Sequence, residues 1–259
     1  MKRKKVLYAA LIAASILFLY GIGKVSYRVY HKFTTLSNEV AGLYETQVMN
    51  NVTKIDTLPH HVLCLGNSIT RHLPKKDIGW YSDWGMAASS IEKDYCHQLL
   101  NMLKAKNIAS TVSPLNISFW ERNLECDIDS LIKDSLQGKD IVVIRLGENV
   151  ENTDLFRTRI LDLINACKKQ TQNIIITGCF WENSEKETCL IRAAYINRLK
   201  YVPLYWISRN HKDEAYPKKN EKIKDLKGGT YTLYEKDVLA HPGDEGMRMI
   251  AESIFNAMQ

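Results

Sequence analysis

The sequence predicts an α/β protein, a three-layer α/β/α sandwich around a five-stranded, mainly parallel sheet. Three observations predict it. From His61 onward, short β-branched runs alternate with stretches whose apolar residues recur at i, i+3 and i+4. The runs are nearly continuous in apolar character, as strands covered on both faces are. Each helical stretch carries one apolar stripe, which needs a sheet face to bury it.

The elements follow in order. Val62 to Leu65 is the first strand, and Ile91, Tyr95, Leu99 and Leu103 mark the first full helix. Ile117 to Trp120 reads as the second strand, with a short helix near Ile128 to Leu136. Ile141 to Leu146 precedes the stripe Phe156, Ile160, Leu163, Ile164 and Cys167. Ile174 to Cys179 precedes a helix around Lys186 to Leu199, and Val202 to Ile207 reads as the last strand. Met247, Ile250, Ala251, Ile254 and Met258 define a closing amphipathic helix. The connection between Ile207 and His241 is too long for an ordinary loop, and it predicts a substrate-side flap over 208–240 with a small hairpin.

At 259 residues and 45% hydrophobic content, the chain is long enough for one full-sized core plus an appendage. The appendage is at the front. Met1 to Lys5 is basic, and Val6 to Gly23 is an uncharged stretch of about 18 residues, near the lower limit for crossing a bilayer. A cleavable signal peptide competes with this reading, but Tyr20 to Val25 matches a small-x-small cleavage site poorly. The favoured organisation is a cytoplasmic tip and signal-anchor transmembrane helix over 1–23, a stalk over 24–55 and a catalytic domain over 56–259. The basic tip places the N-terminus in the cytoplasm and the domain outside it, periplasmic or at the cell surface.

Charge distribution excludes a nucleic-acid partner. Seven basic residues and no acidic one occupy positions 1–32, so setting that segment aside takes the net charge from +6 to −1. The six cysteines are scattered and form no CxxC pair, which argues against structural zinc and for small buried hydrophobes. No metal and no organic cofactor is implied.

In a parallel sheet every strand's carboxyl end points to one edge, so loops distant in sequence converge there. Gly66-Asn67-Ser68-Ile69-Thr70 follows the first strand, Trp84-Gly85-Met86-Ala87-Ala88-Ser89 precedes the first full helix, Gly147-Glu148-Asn149 follows the third strand and His241-Pro242 opens the final helix. A serine at such an edge is where α/β enzymes place a nucleophile, although a helix N-cap would by itself account for Ser68. Asn149 alone would likewise suit a cap. The other histidines, His31, His60, His61, His72, His97 and His211, stand in no such motif and read as surface or packing residues.

Together these four blocks, in this order, resemble those of the SGNH hydrolase superfamily, the GDSL-like lipases and esterases, over roughly residues 60 to 259. The resemblance implies a flavodoxin-like SGNH hydrolase fold and an esterase. It makes Ser68 the nucleophile and His241 its base, with the Ser68 N–H, the Gly85 N–H and the Asn149 side-chain amide around the oxyanion. Two departures stand out. Asn67 replaces the family's usual Asp, and the position three before the histidine, where the family has its orienting aspartate, is Val238. Asp237 is one residue further back, so it either completes a triad or leaves a Ser-His dyad steadied by a backbone carbonyl.

Phe-Trp-Glu occurs twice near this edge, at Phe119-Trp120-Glu121 and Phe180-Trp181-Glu182. With Trp84, the residues Trp120, Trp181, Glu121 and Glu182 are candidate substrate contacts, because an indole offers a sugar ring an apolar face and one N–H. Trp120 and Trp181 would equally serve as plugs at the top of the core. The resulting expectation is a membrane-anchored, extracytoplasmic serine esterase acting on a small ester or acylated carbohydrate, probing the bilayer only through its N-terminal helix. Rival readings are a lysophospholipase-like lipid esterase, an acyltransferase, and a non-catalytic glycan-binding module on the same fold.

Overall fold

A computed structural model describes residues 58–259. The expected tip, signal-anchor and stalk lie outside the described residues. Among the described residues no helix is long and apolar enough to cross a membrane.

Five strands form one all-parallel sheet in the order β2-β1-β3-β4-β5: β1 (His61–Gly66), β2 (Thr111–Asn116), β3 (Ile141–Arg145), β4 (Ile174–Thr177) and β5 (Lys200–Val202). Helix α1 (Tyr95–Lys104) joins β1 to β2, and α2 (Ser118–Arg122) and α3 (Ile128–Leu136) follow β2. Then come α4 (Thr153–Lys168), α5 (Ser184–Asn197), α6 (Tyr205–Asn210), α7 (Lys236–Leu239) and the closing α8 (Asp244–Met258). Every residue of β3 and β4 is buried, which is why those runs lack polar alternation.

Helices α1 and α8 pack together, and Val62, Cys64, Val143 and Ile175 of the sheet join their apolar stripes in one core. The sequential pairs α3 with α4 and α4 with α5 are likewise in contact. Side-chain caps start these helices: the carboxylates of Asp94 and Asp127 and the amides of Asn152 and Asn183 accept backbone N–H groups of the first turns of α1, α3, α4 and α5.

Two local expectations are corrected. The second strand is Thr111–Asn116, and Ser118 to Arg122 is helical. β2 is an edge strand with a single neighbour, so it tolerates Pro114 and a half-polar sequence that hides it from pattern reading. The last strand ends at Val202, where Pro203 follows, and Tyr205 to Ile207 belongs to α6. The 208–240 segment does carry a hairpin, β6 (Lys222–Lys224) with β7 (Thr230–Thr232), but it is docked. Ser82 Oγ donates to the Lys224 carbonyl at 2.6 Å, Lys224 N–H donates to the Ser89 carbonyl at 2.9 Å, and Tyr231 packs edge-on against Tyr81 with ring centroids 4.9 Å apart.

Strand register brings the site to one rung. Gly66 pairs with Asn116 on one side and with Arg145 on the other, so the loops after β1, β2 and β3 leave the sheet side by side. Between β1 and β3 the strand order reverses direction, and that is where open α/β sheets form a crevice.

Candidate active site

Ser68 Oγ and His241 Nε2 meet at 2.8 Å across 173 residues of sequence. The β1 loop delivers the serine; the turn between α7 and α8 delivers the histidine. His241 Nδ1 lies 2.8 Å from the backbone carbonyl oxygen of Asp237. A carbonyl only accepts, so Nδ1 carries the proton and Nε2 presents its lone pair to the serine hydroxyl. Trp181 braces the histidine: its indole N–H donates to the Ala240 carbonyl at 3.2 Å, and its ring stands edge-on to the imidazole, centroids 5.4 Å apart. Burial lowers the imidazole pKa to about 4, with the Arg145 and His72 charges acting in the same direction against the Asp237 carbonyl bond.

The Asp237 expectation resolves to its main chain. Asp237 sits in α7, where side chains tilt toward the helix N-terminus, away from a residue four positions on, and its side chain is exposed. Its carbonyl is among those a helix leaves without an intrahelical partner at its C-terminal end, and the imidazole N–H takes that place. Val238, at the family's aspartate position, is fully buried.

Gly85 is also corrected. Its N–H donates to Asp94 Oδ2 at 3.3 Å, so it is not turned to the serine. Glycine is required there by space, since a Cβ would lie 2.5 Å from the Ile69 carbonyl oxygen. In the same turn Met86 N–H is bonded to the Ser68 carbonyl, Ala88 N–H to the Gly85 carbonyl and Ser89 N–H to Asp244. Ala87, buried with φ of 74°, has the one N–H of this turn without an acceptor among the described residues.

Behind the serine lies a buried polar cluster that pattern reading missed. Arg145 and Glu148 form a fully buried ion pair, Nη1 to Oε1 at 2.7 Å. Asn67 is threaded through it. Its Oδ1 accepts from Arg145 Nη2, and its Nδ2 donates to Glu148 Oε2 at 2.7 Å and to Glu121 Oε1 at 3.4 Å. Burial raises Glu148, but the Arg145 charge and the Phe180 N–H and Asn67 bonds outweigh it and hold the carboxyl below its ordinary value. Burial, with Glu148 nearby, moves Glu121 the opposite way. The amide at position 67 is therefore what the pocket needs: a donor toward two carboxylates and an acceptor toward one guanidinium.

Asn149 emerges from the β3 loop beside this cluster, after Gly147, whose φ of 129° is one that side chains rarely tolerate. Of the candidate substrate contacts, Trp84 is buried with its indole N–H on the Ala88 carbonyl, Trp120 is buried against Phe156, and Glu121 is 1% exposed. These three face the interior. Trp181 is half-buried beside His241, and Glu182 is exposed in an ion pair with Arg209. His72, read as a surface or packing residue, is half-buried and close enough for its charge to act on His241. Its place four residues after Ser68 is the only hint the sequence offered. Among the described residues no group of three or more His, Cys, Asp or Glu is placed to hold a metal ion.

No protein-family model matches the sequence, and no curated protein matches it. Solved structures match its fold. LAE5, described as an α/β hydrolase enzyme from the metagenome of Lake Arreo, Spain, aligns with a TM-score of 0.54 at 14% identity, covering 78% of this chain and 97% of its own. A catalytic mutant of Axe2, an acetylxylan esterase from Geobacillus stearothermophilus, aligns with a TM-score of 0.52 at 14% identity, covering 78% of this chain and 96% of its own. Another Axe2 mutant, described as an acetyl-xylooligosaccharide esterase, aligns at 0.51 with 15% identity and coverages of 78% and 96%. The chain thus has the three-layer α/β fold of these hydrolases over its described domain.

Proposed function

We propose that this chain is a serine esterase of the SGNH hydrolase type that removes short acyl groups, acetyl above all, from carbohydrate. The observation that carries the reading is the 2.8 Å contact of Ser68 Oγ with the unprotonated nitrogen of His241. The hydroxyl proton passes to Nε2 as Oγ bonds to the ester carbonyl carbon, and the carbonyl π electrons move onto oxygen. The Ser68 and Ala87 N–H groups and the Asn149 amide are the donors for that oxyanion, each worth about 3–4 kcal/mol of transition-state stabilisation. Nε2–H then protonates the departing sugar oxygen as the acyl–enzyme forms. Water, deprotonated by the same nitrogen, attacks the acyl carbon, and Ser68 Oγ leaves with the proton.

Acylated carbohydrate is favoured as substrate by the acetylxylan esterases among the fold neighbours and by the Trp181 indole beside His241. Membrane attachment through Val6 to Gly23, with the domain outside the cytoplasm, belongs to the same proposal and is supported by the basic tip and the uncharged stretch.

Ser68-dependent release of nitrophenol from p-nitrophenyl acetate tests the chemistry. Acetate release from acetylated xylo-oligosaccharide, compared with fatty-acid release from lysophospholipid, tests the substrate class. Turnover unchanged in Ser68→Ala refutes the reading, and preference for lysolipid refutes its carbohydrate part.

A further inference from the structure

Asn149 is gripped at both ends by consecutive residues of α2. Its Nδ2 donates to Glu121 Oε2 at 2.7 Å, while its Oδ1 accepts from Arg122 Nη2 at 2.9 Å. A carboxamide with a carboxylate at its nitrogen end and a guanidinium at its oxygen end has one orientation, because reversal would set acceptor against acceptor and donor against donor. Glu121 is itself anchored: Oε1 accepts from Gly147 N–H at 2.6 Å and from Asn67 Nδ2 at 3.4 Å. Every partner of this buried carboxyl is a donor, which is the set an ionised carboxylate fits.

Asn149 Nδ2 carries two hydrogens, and Glu121 takes one. We propose that Glu121 and Arg122 are positioning residues that hold the second Nδ2 hydrogen on the oxyanion of the reacting ester, with Arg122 also drawing charge to the amide oxygen and so strengthening the N–H as a donor. The proposal rests on the esterase reading. It also explains why Glu121, which the sequence offered as a substrate contact, is turned inward: it reaches the reaction through Asn149. An interaction of this kind acts where charge develops on the ester oxygen, so its loss lowers kcat and leaves KM alone.

The test is p-nitrophenyl acetate hydrolysis by the full chain. Arg122 is exposed, so its variants keep the fold intact. Arg122→Ala should lower kcat about 10-fold with KM within about 2-fold, and Arg122→Lys, which restores a cationic donor, should recover most of the loss. Asn149→Ala should lower kcat about 100-fold, and adding Arg122→Ala to it should cost nothing more, because both act through one amide. Glu121→Gln, which sets an N–H against the donors, should also lower kcat, and should lose that effect in the Asn149→Ala background. Fully additive losses in the double variants, or an Arg122→Ala effect confined to KM, overturn the proposal. A wild-type chain without Ser68-dependent turnover overturns the esterase reading and this proposal with it.

Discussion

Replacing Asn67 by aspartate, the residue the SGNH pattern would have there, should destabilise this protein in a strongly pH-dependent way. The side chains are nearly isosteric, so packing is unchanged and the effect is electrostatic. In the native cluster Asn67 Nδ2 lies 2.7 Å from Glu148 Oε2. Two carboxylate charges at that separation repel by about 6 kcal/mol at an effective dielectric constant of about 20. The lower-energy escape is for the pair to keep one proton, whose O–H then spans the gap that Nδ2–H spans now. Holding an ordinary aspartic acid, pKa about 3.9, protonated at pH 7 costs about 4 kcal/mol, and at pH 5 about 1.5 kcal/mol.

The folded variant therefore binds a proton that its unfolded chain releases above pH about 4, so its stability falls relative to wild type as pH rises. Urea unfolding of both proteins at pH 5, 6 and 7 should give a destabilisation that grows by about 1.4 kcal/mol per pH unit. A destabilisation that is the same at all three values, or under about 1 kcal/mol at pH 7, refutes the account of Asn67 as a required donor between two buried carboxylates.

Asp237→Asn leaves the carbonyl that His241 uses, so kcat/KM for p-nitrophenyl acetate should stay within about 3-fold of wild type; a fall of about 10⁴, as when a triad carboxylate is lost, would show that the side chain is the partner. Because the base must be neutral and burial holds His241 at about 4, kcat/KM should rise through pH about 4 and be level from about 5 to 8. A limb near 6.5 in that profile would contradict the buried imidazole. Burial also raises Glu187 to about 7, above its unfolded value, so the folded chain keeps a proton there and loses stability as pH rises from about 4.5 to 7. Glu187→Gln should thus raise the melting temperature at pH 8, by an amount equivalent to about 1–2 kcal/mol, and change it little at pH 5; equal shifts at both pH values would contradict this.

What was legible follows from what each residue touches. The strands β1, β3 and β4 read correctly because central parallel strands are apolar on both faces; Ser68 and Asn149 stood out because they follow β1 and β3, and His241 because its motif opens the closing helix. β2 was missed because its outer edge has no neighbour to demand β-branched residues, so Pro114 and Ser113 are permitted there. Trp84 was misplaced, and Trp120 was left between two readings, because a tryptophan near a strand end has the same local pattern whether it plugs the core or faces substrate. Arg145, at the end of an apolar strand, looks like a surface charge; only the meeting of the β1 and β3 ends gives it Glu148 and Asn67 as partners. Asp237 shows the sharpest limit, since an offset of one residue inside a helical turn exchanges a carboxylate for a carbonyl.

That exchange affects how such a centre is inherited. A group belonging to the peptide bond survives every side-chain replacement at its own position, so the proton-holding partner of His241 is written in the path of the chain between 237 and 241 rather than in any single codon. Drift can erase the acidic residue without cost to the imidazole, whereas inserting or deleting one residue in that short stretch would strand it.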